Sequence, residues 1–269
     1  MRALAIKAHA KINPSLAVGK LRANGYHDID ATFQAIGLHD IVTISMAEES
    51  RVRCSNPELN GGANLVTKAL RLSSEIFEFR PLDVFIEKRI PMQSGLGGGS
   101  SNVAAALRIL NLISQGALSP HMGSIAIACG SDVPFFLGSS THARARCRGE
   151  KLEPLLPPEP SPLVIAMPTN VHCSTAEAYA RIDALPERSA DRPENVPPND
   201  FEAVAPRESL DLIELLRSRG AGIAGLCGSG SAVYGFTPQA NQIADGLKAE
   251  GLWAAATLTI TTFGAPWTP

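Results

Sequence analysis

No two cysteines of this chain stand in a C-x-x-C arrangement. The five present, Cys54, Cys129, Cys147, Cys173 and Cys227, are odd in number and scattered. That argues against a disulfide framework and against a zinc ribbon. Reduced, buried thiols of a cytoplasmic protein are the expectation instead. The six histidines include no H-E-x-x-H pair, so no zincin-type centre is written here. No apolar run approaches the roughly 18 residues that a membrane span requires. The opening residues, Met1-Arg2-Ala3-Leu4-Ala5-Ile6-Lys7, lack the long apolar core and cleavage site of a signal peptide. Basic charge is not in excess either. Lysine and arginine number 24 against 26 acidic residues, a net charge of −2, which counts against a nucleic-acid binder. A small-molecule substrate is expected, and any anionic ligand must be held by local amides and a few lysines. Aromatics are few, with only three tyrosines.

Glycine, by contrast, is concentrated. Gly95-Leu96-Gly97-Gly98-Gly99-Ser100-Ser101 packs four glycines and two serines into seven residues. It lies between a strand pattern and a helix pattern. Upstream, Leu82, Val84 and Ile86 recur at period two; downstream, Val103, Ala106, Leu107, Leu110 and Ile113 recur at helical spacing. Glycine admits close backbone approach, and a helix start offers unpaired N–H groups at the positive end of its dipole. Together they form an anion site, most often for phosphate. Neither common glycine fingerprint fits. A Walker A loop ends in Gly-Lys-Ser/Thr, and no lysine occurs between Arg89 and Lys151; a dinucleotide loop needs glycine where Ser100 stands. A strand-to-helix turn without a ligand is the bland alternative.

Hydrophobic residues make up 45% of the 269, enough for a real core in one large domain or two ordinary ones. Residues 4–12 alternate, with Lys7, His9 and Lys11 on the polar face of a half-buried strand. Residues 29–46 suggest two strands around Gly37-Leu38-His39-Asp40. A helix is predicted from Asn64 to Phe77, and a short one near 121–129. Pro154-Leu155-Leu156-Pro157-Pro158-Glu159-Pro160-Ser161-Pro162 is the strongest punctuation. It sets expected domains of 1–156 and 157–269. Beyond it come a buried strand at 163–167, a capping box at Ser174-Thr175-Ala176-Glu177, a proline-rich, exposed loop at 186–200, an amphipathic helix near 210–216 and a second glycine-rich turn and strand at 225–236. A helix is predicted to begin at Pro238, and a strand at 258–262 closes the chain. Strands and helices alternate without strict β-α-β order, which predicts α+β.

Three further segments matter once the loop is taken seriously: Ala10-Lys11-Ile12-Asn13, Gly130-Ser131-Asp132-Val133-Pro134 and Gly228-Ser229-Gly230-Ser231. Singly, each reads as a solvated lysine, a turn residue or a tight connection. In this order, with Gly25-Tyr26-His27, Asn64-Leu65-Val66, Lys88-Arg89-Ile90-Pro91-Met92 and Asn199-Asp200-Phe201-Glu202, they closely resemble the GHMP small-molecule kinases. The resemblance covers nearly the whole chain. The glycine loop identifies only the superfamily; the segments at 11–13, 25–27 and 130–134 are more specific and resemble the branch acting on cytidine-diphosphate methylerythritol. His9 replaces the family's usual proline, Pro14 a leucine, Asn24 an aspartate, and Gln93 and Ser94 glycines.

The resemblance implies a two-lobed kinase, with an N-terminal lobe like domain 2 of ribosomal protein S5 and a ferredoxin-like C-terminal lobe. It implies ATP and Mg²⁺ as cofactors. Asp132 would be the base that takes the proton of the attacking hydroxyl, with Lys11 beside it to stabilise developing charge. Asn64, Lys88, Pro91, Gly95, Leu96, Gly97, Gly98, Gly99, Ser100 and Ser101 would hold the nucleotide. Tyr26 and Tyr179 would stack on the substrate's base, His27 would meet its edge, and Asn13 and Thr175 would make polar contacts. Mevalonate- or homoserine-type kinases and a non-catalytic S5-like module are the alternatives. A base-stacking site is of no use to the first, and Lys11 and Asp132 together are of no use to the second.

Overall fold

The computed structural model describes residues 2–23, 25–185 and 199–269. Asn24 and most of the expected 186–200 loop lie outside them. In chain order the elements are β1 (Leu4–Leu21), β2 (His27–Met46), β3 (Arg51–Cys54), α1 (Leu65–Ser74), β4 (Leu82–Glu87), α2 (Gly98–Ile113), α3 (Met122–Cys129), α4 (Val133–Leu137), β5 (His142–Cys147), β6 (Lys151–Pro154), β7 (Pro162–Met167), α5 (Thr175–Asp183), α6 (Arg207–Ser218), β8 (Ile223–Leu226), β9 (Val233–Phe236), α7 (Ala240–Ala249) and β10 (Trp253–Leu258), with short 3-10 turns between some of them.

The first sheet grows from one long hairpin. β1 and β2 pair antiparallel from Leu4 opposite Ile44 to Leu21 opposite His27. The other edge of β2 is shared, by β4 along Ile41–Met46 and by β5 along Ile29–Gln34. Gly37-Leu38-His39-Asp40, expected to separate two strands, instead lies within β2. His9 faces His39 but Ala10 faces Ile36, so Gly37 and Leu38 form a bulge that bends the strand without ending it. A Cβ on Gly37 would stand 3.0 Å from Thr257 Oγ1, so the bend also brings β2 close to β10.

Pro14 is handled by a second slip. Ile12 faces Gln34 and Ser15 faces Thr32, leaving Asn13 and Pro14 against a single residue. Proline has no N–H to give the ladder. The Asn13 side chain donates instead to the Thr32 carbonyl, at 3.3 Å. The strand carrying Lys11 therefore runs on to Leu21 rather than stopping at residue 12.

The expected polar face of β1 is corrected beyond Lys7. Lys7 is exposed, but His9 and Lys11 are buried. Ile90–Gly97 folds back over this face, and the Lys11 N–H donates to the Leu96 carbonyl at 3.0 Å. His9 is held by the Ile36 carbonyl, and burial pushes its imidazole down to about 4.

α2 is the central helix. Val103, Ala104, Ala105, Ala106, Leu107, Ile109 and Leu110 are all buried. The alanine run lets it lie close against α1, α4 and β1. The β5–β6 hairpin, β3 and α4 were not expected from the sequence: each is short, and the buried face of β5 carries only alanines as its apolar signal.

The second sheet has the order β10-β7-β9-β8, all antiparallel. Numbered within this half, that is 4-1-3-2 in a β-α-β-β-α-β chain, the ferredoxin-like arrangement. Its closing strand is Trp253–Leu258, five residues earlier than expected, and α7 begins at Ala240 rather than Pro238. The residues beyond return to the first sheet: Ile260 N–H donates to the Ala35 carbonyl, and Ala5 and Trp267 pair. Among the described residues no helix is long and apolar enough to cross a membrane.

Candidate active site

A cleft of about 440 Å³ opens between the two sheets, within the range of small-molecule sites. The glycine loop forms its floor. Gly95 adopts φ +74°, and a Cβ there would lie 1.8 Å from the Cys227 carbonyl oxygen. Gly228, at φ +53°, would meet the Gly95 carbonyl at 2.9 Å. The two glycine-rich segments thus cross backbone on backbone. At Gly95 the missing Cβ admits the second half of the chain, while the residue itself lines the cleft. Gly97 is the left-handed N-cap of α2, and its Cβ position faces Phe136 and Lys11. Gly98 backs onto Lys88 Nζ, 2.8 Å from its Cβ position. Gly99 alone of the four is exposed, with only Leu65 Cδ1 nearby at 3.4 Å. No side chain caps α2, so its first-turn N–H groups are left for a ligand or water. Ser100 lines the cleft; Ser101 is buried in the helix and does not.

One buried carboxylate organises this end. Asp40 is fully buried. Its Oδ2 accepts from Lys88 Nζ at 2.6 Å and Asn102 Nδ2 at 2.9 Å; its Oδ1 accepts from the N–H groups of Arg89 and Ile90 at 2.7 and 2.8 Å. Lys88 lines the cleft with its ammonium already bound by Asp40. Sequence reasoning missed Asp40, reading its segment as a turn. The available signal was an aspartate inside an apolar period-two strand. Asn64, Leu96 and Pro91 also line the cleft, and the Asn64 side chain caps α1 through the Val66 N–H.

Lys11 and Asp132 meet at the centre. Lys11 Nζ is 3.6 Å from Asp132 Oδ2 and donates to Asn13 Oδ1 at 2.6 Å. It also lies 5.0 Å over the Phe33 ring. Asp132 is the N-cap residue of α4 and keeps its side chain 29% exposed, so a substrate can reach it. Asn13 is buried behind Lys11 and does not line the cleft.

At the far end Tyr179 projects from α5 into the cleft, edge-on to Phe201 at 5.0 Å. Burial, then the Asp132 charge, pushes its phenol up to about 12. The His27 ring stacks on Tyr179 at 4.7 Å and 17°, and its Nε2 meets Asp183 Oδ1 at 2.7 Å. His27 is therefore buried, holding the start of β2 to α5, and does not line the cleft. Tyr26 does not line the cleft itself; it is 51% exposed and lies beside the cleft residue Arg148, whose guanidinium is 4.7 Å over its ring. Arg148 is a cleft residue that the sequence did not single out; Phe201 and Ser229, from the segments noted at 199–202 and 228–231, line the cleft as well. Thr175 lines the cleft, 3.1 Å from the Ser229 hydroxyl. Asn199, expected in an exposed loop, is buried and donates to the Leu226 and Gly228 carbonyls at 3.0 and 2.7 Å. It braces the hairpin turn beneath Gly95.

The pattern of the GHMP kinases N terminal domain matches residues 64–140. A 4-diphosphocytidyl-2-C-methyl-D-erythritol kinase from Prosthecochloris aestuarii is 36% identical over 262 residues, 88% of this chain and 90% of that one. A crystal structure of a 4-(cytidine 5'-diphospho)-2C-methyl-D-erythritol kinase matches with TM-score 0.79 and 31% identity, over 95% of this chain and 99% of the other. A mevalonate kinase, at TM-score 0.68 and 12% identity over 97% and 99% of the two chains, shares the fold. On a likeness above 30% identity over most of both chains, the chain belongs to the 4-diphosphocytidyl-2-C-methyl-D-erythritol kinase family of the GHMP kinases.

Proposed function

We propose that this kinase transfers the γ-phosphoryl group of ATP to the 2-hydroxyl of 4-diphosphocytidyl-2-C-methyl-D-erythritol, giving the 2-phosphate and ADP. The observation that carries this is the Lys11–Asp132 pair, 3.6 Å apart, in a cleft floored by the uncapped start of α2. Asp132 accepts the hydroxyl proton as the oxygen attacks phosphorus. Lys11, held by Asn13, counters charge on the transferring group. The first-turn N–H groups of α2 and the 95–101 loop hold the phosphates. Asn64, Leu65 and Pro91 form the nucleotide's wall, while Lys88 fixes the loop through Asp40.

The donor set fits Mg²⁺ that arrives on the nucleotide. Among the described residues no cluster of three His, Cys, Asp or Glu side chains could cage a metal. Magnesium is ordinarily held by one or two carboxylates together with substrate phosphates. The Ser100 hydroxyl, which lines the cleft, is the protein group that would hold it together with the nucleotide's phosphates, leaving Asp132 as the base. When bound, it would neutralise phosphate charge.

Tyr26 and Tyr179 take the substrate's base. Tyr26 already carries a flat cation on its face, and Tyr179 has one face covered by His27 and the cleft beside it. His27 acts through Tyr179 and α5. The two lobes divide near residues 156 and 157, with the terminal residues returning to the first. An assay of ADP release with cytidine-diphosphate methylerythritol, mevalonate and homoserine in parallel tests the proposal. Turnover is expected with the first alone. Comparable turnover on either of the others would overturn the substrate assignment.

A further inference from the structure

Arg108 lies on α2, three turns from the phosphate-facing end, on the side turned away from the cleft. Its Nη2 donates to three backbone carbonyls, those of Phe136, Leu137 and Gly138, at 3.2, 3.1 and 2.7 Å. These close the C-terminal end of α4. Its guanidinium also lies 5.9 Å over the Phe263 ring. Among the described residues no carboxylate pairs with it, and Lys7 and His9 line the same small pocket. The cation is compensated by carbonyls at a helix C-terminus, where partial negative charge gathers. Burial alone lowers the Arg108 pKa from its usual range, as expected of a guanidinium without an anion.

What α4 carries makes the contact more than a surface cap. The helix has five residues, and its N-cap is Asp132. A helix this short has little stability of its own. Its other anchor is packing of Val133, Phe135 and Phe136 into the core. The same α2 that presents N–H groups at Gly98 thus grips, through Arg108, the segment that presents the carboxylate.

We infer that Arg108 is a positioning residue for phosphoryl transfer, clamping α4 to α2 so that Asp132 keeps a fixed place relative to the phosphate-binding end of α2. The inference rests on the kinase function proposed above. All three contacts come from one nitrogen, Nη2, while the flat guanidinium lies over the Phe263 ring, a shape that an ammonium does not reproduce. A displacement on the order of 1 Å at a reacting group can cost about 10²-fold in rate.

The test compares Arg108→Met, Arg108→Gln and Arg108→Lys with wild type in two measurements. In steady-state kinetics, with rates expressed per folded molecule, Arg108→Met is expected to lower kcat about tenfold or more while KM for ATP stays within about twofold. Arg108→Lys should recover part of the loss, and free guanidinium should partly rescue Arg108→Met. In amide hydrogen exchange, protection at 133–137 should fall in Arg108→Met while that at 103–110 persists. A folded Arg108→Met or Arg108→Gln with wild-type kcat would overturn the proposal. So would a loss of activity accounted for by unfolded protein alone. The exchange measurement is independent of the substrate. Unchanged protection at 133–137 overturns the clamp whatever alcohol is phosphorylated, whereas a wild type inactive on cytidine-diphosphate methylerythritol overturns the functional proposal.

Discussion

The two ends of the cleft are built in opposite ways. At the phosphate end, backbone crosses backbone at Gly95 and Gly228, and a fully buried Asp40 fixes Lys88, Asn102 and two N–H groups at once. At the other end, side chains take the place of backbone: Tyr26 half exposed, Arg148 over its ring, Tyr179 leaning on His27 and Phe201. The first end is preorganised, so a charged group bound there meets dipoles that need not reorient. The second is tied to the sheet through His27 at the start of β2, which stacks on Tyr179. A mevalonate kinase shares the fold at 12% identity.

The largest effect is expected where the two ends meet. Asp132→Asn keeps size and hydrogen bonding but cannot take the proton. Turnover should fall about 10²–10⁴-fold with ATP binding largely intact. A variant that turns over near the wild-type rate would remove Asp132 from the reaction and leave only a fold comparison.

Next come two glycines four residues apart. Gly95→Ala drives a methyl into the Cys227 carbonyl, 1.8 Å away, at a φ of +74°. Overpacking and the left-handed penalty together imply a loss of about 2–5 kcal/mol in stability. Gly99→Ala meets nothing closer than 3.4 Å and favours the helix. Its melting temperature should be no lower than wild type, while ATP affinity drops about tenfold because the methyl intrudes on the open face of the loop. Normal ATP affinity in Gly99→Ala would mean that all four glycines serve the fold.

His9 sharpens the contrast from the pH side. In the fold its imidazole titrates near 4, pushed down mainly by burial, against about 6.5 in an unfolded chain. Between those values the unfolded chain binds a proton that the folded one does not, so stability falls as pH drops from about 6.5 toward 4. The full shift corresponds to about 3 kcal/mol. His39, also lowered by burial, acts in the same direction; Glu202, raised by burial, opposes it. His9→Phe should flatten the urea-midpoint profile between pH 7 and 5. Parallel profiles for variant and wild type would assign the acid sensitivity elsewhere.

The two ends also differed in how far the sequence revealed them. The glycine loop, α2 and the start of β1 were legible because local composition and period-two or helical spacing specify them. Asp40 was not, because a bulge pairs its strand across Gly37 and Leu38, and only the partner strands make that segment extended. Asn199 followed a charged, proline-rich run, yet it is buried because two carbonyls of a distant hairpin need a donor. His27 was expected on the ligand and lies instead between Tyr179 and Asp183, partners 152 and 156 residues away that no local pattern could supply. The hairpin of β5 and β6, which brings Arg148 to the rim, has alternating charge where burial on one face leaves little apolar signal.

The smallest effect, and the one that decides acceptor identity, belongs to Tyr26. Its ring is 51% exposed at the rim, with Arg148 over one face, so truncation removes little packing from the fold. Tyr26→Ala should leave the melting temperature and KM for ATP nearly unchanged. If the ring stacks on cytosine, substrate KM should rise by the equivalent of about 1–3 kcal/mol, the range for base–aromatic stacking. Tyr26→Phe should be mild, because the ring rather than the hydroxyl does the stacking. Tyr179→Ala should show the same loss of substrate affinity together with lower stability, since His27 and Phe201 both pack on that ring. Competition by free CDP or CMP, measured by titration, reads the same contact without the rest of the substrate. If neither nucleotide competes and Tyr26→Ala keeps its substrate KM, the rim does not read the base, and the difference between the two ends would lie in the fold rather than in recognition.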